Sequence, residues 1–110
     1  MANGMPVIAV IYAVRPKQEQ RDEVRALFDR HTPALRVAGL ITDREPILLW
    51  SPKDEAFLES FEWKSVEHAK RAVSTPEILA IWSEFARVAD FVPLASLSET
   101  KNTFAHFEAV

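Results

Sequence analysis

The chain has no cysteine and only two glycines among its 110 residues. The first absence excludes disulfides, thiolate catalysis and cysteine-based zinc sites, and it suits a reducing cytoplasm. The second leaves no room for the glycine-rich loops that cradle phosphates, and neither a GxSxG nor a Walker pattern occurs. A surplus of positive charge is also missing. Thirteen Lys and Arg face sixteen Asp and Glu, the net charge is -3, and no basic cluster stands out. Such a surface offers nothing to a phosphate backbone, so nucleic acid is not an expected partner. The longest apolar run, Val7 to Val14, is far short of the ~20 residues that span a bilayer. No basic n-region or cleavage pattern marks a signal peptide. The expectation is a soluble cytoplasmic protein with no membrane association. The three histidines, at 31, 68 and 106, share no i, i+3 or i, i+4 spacing, so neither a metal nor a cofactor is expected.

What is present is a core. Apolar residues make up 48% of the chain and charged residues 26%, which suits one folded domain over residues 1–110 and argues against disorder. Residues 1–5, with Asn3 and Gly4, read as a loose tail. Val7 to Arg15 is rich in β-branched residues and apolar on both faces, as a central strand covered on both sides should be, and Pro16 ends it. From about Gln18 the period changes. Val24, Leu27, Phe28, His31 and Leu35 form one stripe of an amphipathic helix, with Pro33 kinking or shortening its last turn and Gly39 as a left-handed cap. Leu40 to Trp50 and Ala56 to Trp63 read as a hairpin about the turn Ser51-Pro52-Lys53-Asp54. Ser65 is placed to cap a short helix to about Val73. Ser74 and Glu77 are spaced as the capping box of a second helix, with Ile78, Ile81, Trp82, Phe85 and Val88 or Ala89 as its stripe and Pro93 at its end. Leu94 to Leu97 reads as extended, and Phe104 to Val110 alternates as a final strand. The order is β-α-β-β-α-β, an α+β ferredoxin-like sandwich.

Candidate chemistry lies where polar residues interrupt apolar patterns. His31 sits in the stripe of the first helix, so it should face the sheet. A buried imidazole there can act as a general base, or can simply make one structural hydrogen bond. Tyr12 interrupts the aliphatic first strand and can carry its hydroxyl either into the space between sheet and helices or to the core's edge. Glu62 lies on the strand face opposite Phe61 and Trp63, and His106 shares a face with Glu108. The two could form an acid–base pair on neighbouring strands, or an exposed or interface ion pair. Trp50, Trp63 and Trp82, with seven phenylalanines, can wall a pocket for a flat organic ligand or fill a core. Tyr12, Glu62, Trp63, Trp82 and His106 are therefore the candidate ligand-binding residues, and His31 is the candidate catalytic one.

The stretch Phe61-Glu62-Trp63-Lys64-Ser65-Val66-Glu67-His68, followed by Ser74-Thr75-Pro76-Glu77-Ile78, resembles the dimeric α+β barrel superfamily, in particular antibiotic-biosynthesis-monooxygenase-like domains. The likeness covers nearly the whole chain, and it marks a fold more strongly than an activity. It implies a homodimer whose two sheets form a joint barrel, often with exchanged C-terminal strands, and a pocket between sheet and helices. It also implies oxidation of aromatic or phenolic compounds by dioxygen without metal or flavin, or else ligand binding without turnover. Trp63 matches the tryptophan that many members carry at the end of the third strand. The histidine that active members carry on the following helix would fall near Ala72, one turn beyond His68. The first-strand asparagine of the haem-degrading branch has no counterpart, because Asn3 lies outside the strand.

Overall fold

In a computed structural model, which describes residues 5–110, the chain folds into one antiparallel sheet with three helices. The expected tail thus falls mostly on residues 1–4, outside the described residues; Met5 is exposed. The elements are β1 (Ile8–Pro16), α1 (Arg21–Val37), β2 (Ile47–Ser51), β3 (Ala56–Trp63), α2 (Val66–Ala72), α3 (Pro76–Val88), β4 (Ala89–Val92) and β5 (Glu108–Ala109). The strand order is β4-β1-β3-β2-β5. This α+β arrangement, with β1 and β3 at the centre, is compatible with a ferredoxin-like fold.

Alternation along β1 sends Ile8, Val10, Tyr12 and Val14 toward the helices. There they meet the stripes of α1 and α3 in a core centred on Phe28, Phe57 and Phe85, with Leu35, Phe61 and Ile78 extending it. Part of the opposite sheet face is covered by the same chain. Its Ala13, Ala56 and Leu58 pack on Leu97, from the chain's own C-terminal segment. Ile11 and Ile47, on the same face, stay about half exposed.

Local details follow from specific residues. α1 runs through Pro33 to Val37 without the expected shortening. Pro33 and Asp29 both lie on the exposed side, so water can replace the amide that the Asp29 carbonyl loses. Gly39 has φ +75°, and the bonds Gly39 N–H to Arg36 O and Leu40 N–H to Leu35 O close a Schellman motif. The Ser65 hydroxyl caps α2 by accepting the His68 amide. The Ser74–Glu77 capping box does not form, because α3 starts one residue later with Thr75 as N-cap. The Ser74 and Thr75 hydroxyls instead donate to the Arg71 carbonyl, at 3.2 and 2.7 Å, and close the end of α2.

The C-terminal third departs most from expectation. The strand beside β1 is Ala89–Val92, which leaves α3 without a loop, and not Phe104–Val110. Leu94–Ser96 is a short 3-10 turn rather than extended chain, and Ser98–Lys101 is a second 3-10 turn. Of the expected final strand only Glu108–Ala109 pairs, with Trp50 and Leu49 of β2. The segment is pinned instead by buried Leu97, by Ser51 Oγ lying 2.9 Å from both carboxylate oxygens of buried Glu99, and by the Ser98 amide donating to Asp54 at 2.6 Å.

Candidate active-site pocket

Between the sheet and α3 lies a pocket of about 320 Å³. Its walls are the aromatic rings of Tyr12, Phe61, Trp63, Trp82, Phe85 and Phe91, with Val10 and His31. Size and lining suit a small flat ligand. β1 and β3 supply one wall, with Val10 opposite Phe61 in the ladder. α1 delivers His31 from below and α3 places Trp82 at the rim, while Phe91 reaches in from β4. His31 is held edge-on between Phe61 and Phe85, each with centroids 5.7 Å away.

The pocket's polar groups form one chain of hydrogen bonds. Tyr12 and Glu59 face each other across the β1–β3 ladder, and the Tyr12 hydroxyl donates to Glu59 Oε1 at 2.6 Å. His31 Nδ1 lies 2.9 Å from the same oxygen and 3.3 Å from the Tyr12 hydroxyl. The Trp82 indole Nε1–H donates to His31 Nε2 at 3.0 Å. An indole nitrogen can only donate, so His31 Nε2 is the acceptor, and the proton of a neutral ring is assigned to Nδ1, from which it bonds Glu59. His31 and Glu59 are each only 2% exposed. Burial pushes the Tyr12 hydroxyl well above the ordinary phenol range, and the charge of Glu59 and the bond to it push the same way. Tyr12 is therefore a fixed donor that orients the carboxylate. The group with basic character toward the pocket is the His31 Nε2 lone pair, with a carboxylate behind the ring to offset a positive charge.

Glu59 also borders a second cavity, a cleft of about 250 Å³ whose lining includes Arg25, Asp29, Thr32, Pro46 and Leu48. The carboxylate thus stands between the aromatic pocket and a polar surface.

Of the residues singled out from the sequence, Tyr12, His31, Trp63 and Trp82 come together here. Glu62 and His106 do not. Glu62 points to the other sheet face, as its alternation with Phe61 and Trp63 requires, accepts from Thr42 at 2.9 Å and pairs with Arg44 at 3.0 Å. His106 is exposed and borders a surface cleft with Pro52, Lys53 and Glu99. His68 lies at the start of α2, its Nδ1 2.7 Å from Ser65 Oγ, with its pKa lowered chiefly by partial burial and then by Arg71 and Lys64. Glu59 is not among the residues singled out from the sequence, although the alternation Phe57, Glu59, Phe61, Trp63 already puts it on the core face.

A larger cleft of about 560 Å³ opens near the start of α1, but its aromatic wall, Trp50, is covered by the Arg21 guanidinium 3.8 Å above the ring. Among the described residues no three His, Asp or Glu side chains gather so as to hold a metal ion, and no helix is long and apolar enough to cross a membrane. No family model matches the chain, and no curated protein or solved structure shows a significant similarity to it.

Proposed function

We propose that the chain is a cytoplasmic, cofactor-independent oxygenase of the monooxygenase-like kind, acting on a small phenol or hydroquinone. The observation that carries this reading is a buried carboxylate–imidazole pair set into the wall of an otherwise apolar, aromatic pocket. His31 Nε2 takes the proton of an acidic ring hydroxyl, and Glu59 stabilises the imidazolium that forms. General-base help of this kind contributes roughly 10²–10⁴-fold. The phenolate carries nucleophilic density to its ortho and para carbons, and the one that reacts is one that bears a hydrogen. That carbon forms the bond to dioxygen, with the ring itself as the source of electrons. The O–O bond of the resulting hydroperoxide then breaks as the carbon loses its proton, which gives a quinone and one water. One atom of dioxygen enters the product and the other leaves as water, so no outside reductant is consumed. The aromatic walls hold the ring, and Glu59, adjoining the outer cleft, gives the proton a route to solvent.

The reading extends to a homodimer with two sheets facing each other in a dimeric α+β barrel. Its support is the sheet face away from the helices, where Ile11 and Ile47 are left about half exposed. Apolar side chains arrayed on one sheet face are commonly covered by a partner.

A second reading is a non-catalytic binder. It is favoured by the Trp82 N–H, which already occupies the lone pair that a base would need. Oxygen consumption across a panel of phenols and hydroquinones separates the two. Turnover that falls at least ~100-fold in His31→Gln supports the oxygenase. Saturable binding of the same compounds without oxygen uptake supports the binder.

A further inference from the structure

We propose that Trp82 and His31 together form a clamp that selects ligands by a free aromatic hydroxyl, and that Trp82 is the specificity-determining half. The inference rests on the small-aromatic reading of the pocket and adds how the ligand's polar end is recognised.

The polar groups that line the pocket are already engaged. The Tyr12 hydroxyl is given to Glu59, the His31 Nδ1 proton is assigned to the same carboxylate, and Trp82 Nε1–H is given to His31 Nε2. A ligand offering only acceptors, such as an aryl ether, finds no free donor in that wall. To be bonded it would have to take the indole N–H and leave the buried Nε2 lone pair unpaired, a loss with a real desolvation cost. A hydroxyl differs because it both donates and accepts. Inserted between the two rings, it donates its hydrogen to His31 Nε2 and accepts the Trp82 N–H, so every polar group stays paired. Trp82 can give way to admit it, since its side chain is only partly buried and stands at the rim on α3.

The same geometry favours ionisation. Once the hydroxyl proton passes to Nε2, the oxygen faces two donors, the imidazolium Nε2–H and the indole N–H. The imidazolium is in turn bonded through Nδ1 to Glu59. Two fixed donors in an apolar site stabilise a developing oxyanion much more than they would in water. The Trp82 bond that masks the base in the empty pocket thus becomes the second donor to the phenolate in the filled one.

The test uses 4-nitrophenol, whose phenolate absorbs separately from the phenol, and 4-nitroanisole, its O-methyl ether. Both are measured by equilibrium dialysis and absorbance on the wild type, Trp82→Phe and His31→Gln. The expected result is at least ~10-fold tighter binding of the nitrophenol by the wild type. Bound nitrophenol should ionise at lower pH than it does free in solution. Trp82→Phe should keep the pocket's shape but lose most of the preference for the hydroxyl and part of the ionisation shift. His31→Gln should lose the shift altogether. Equal binding of the two probes by the wild type, or an ionisation shift unchanged in Trp82→Phe, would overturn the clamp while leaving the pocket as an aromatic site. Failure of both probes to bind would overturn the clamp and the small-aromatic reading together.

Discussion

Glu59 is the residue on which the site depends, and the sequence signals it only faintly. Tyr12 and His31 are legible because each breaks an apolar pattern, one on a strand and one on a helix stripe. Glu59 breaks a pattern too, between Phe57 and Phe61, but strand charges are ordinarily read as solvent-facing. What the sequence does not carry is the pairing that places Tyr12 opposite Glu59 across the ladder. The pairing also sets its energetics, since a buried carboxylate is tolerated only when its partners remain. Replacing Glu59 with Leu should remove the charged acceptor that the Tyr12 hydroxyl and the His31 Nδ1–H share and cost about 3 kcal/mol in urea denaturation. Glu59→Gln keeps an acceptor for both and should cost only about 1 kcal/mol. It should nevertheless lower any His31-dependent turnover by ~100-fold or more, because the imidazolium loses its counter-charge.

At the scale of elements, both long helices and the first strand are legible from period and the hairpin from its turn residues. β2, however, begins at Ile47, just after Pro46, and not at Leu40, and β4 is not legible. Phe85, Val88, Ala89 and Val92 continue the helical spacing of α3, so periodicity cannot show that the chain turns extended at Ala89. The 3-10 turns that follow are too short to leave any period. Two joints are open to test. Gly39 lies at φ +75° with open space where a Cβ would stand, so Gly39→Ala meets conformational strain without a clash and should cost about 1 kcal/mol. Gly39→Asn should cost less, since Asn visits that region more readily. The Asp54 carboxylate that ties the C-terminal segment is held below its usual range, mainly by accepting from the backbone N–H of Ser98. A lowered folded pKa means that its contribution is present above the ordinary carboxylate value near 4 and fades as pH falls through the lower folded value. Relative to the intrinsic exchange rate at each pH, the protection of the Ser98 amide should therefore fall on acidification below about pH 4. In Asp54→Ala the protection should be low throughout and lack that acid-side dependence.

For the whole molecule, the sheet's second face is the surface on which the proposed dimer rests. The apolar character of β1 on both sides is legible in the sequence. That Leu97 and its neighbours cover part of the far face is not, because nothing local in residues 94–107 announces where the segment docks. Ile11 and Ile47 mark what the chain leaves uncovered. If a second copy closes it, light scattering should return twice the 12.5 kDa of the single chain at micromolar concentration. Ile11→Lys, with a charge on that face and no change to the helix-side core, should then return a folded monomer. A wild type that scatters as 12.5 kDa would reject the dimer.

The proposed base is defined by where one proton of His31 sits. Nitrogen-15 spectra of His31 near neutral pH measure it without any substrate. The ring proton should sit on Nδ1 facing Glu59, with Nε2 bare and hydrogen-bonded by the Trp82 indole. A ring protonated at Nε2, alone or on both nitrogens, would contradict the base that the pocket is argued to hold.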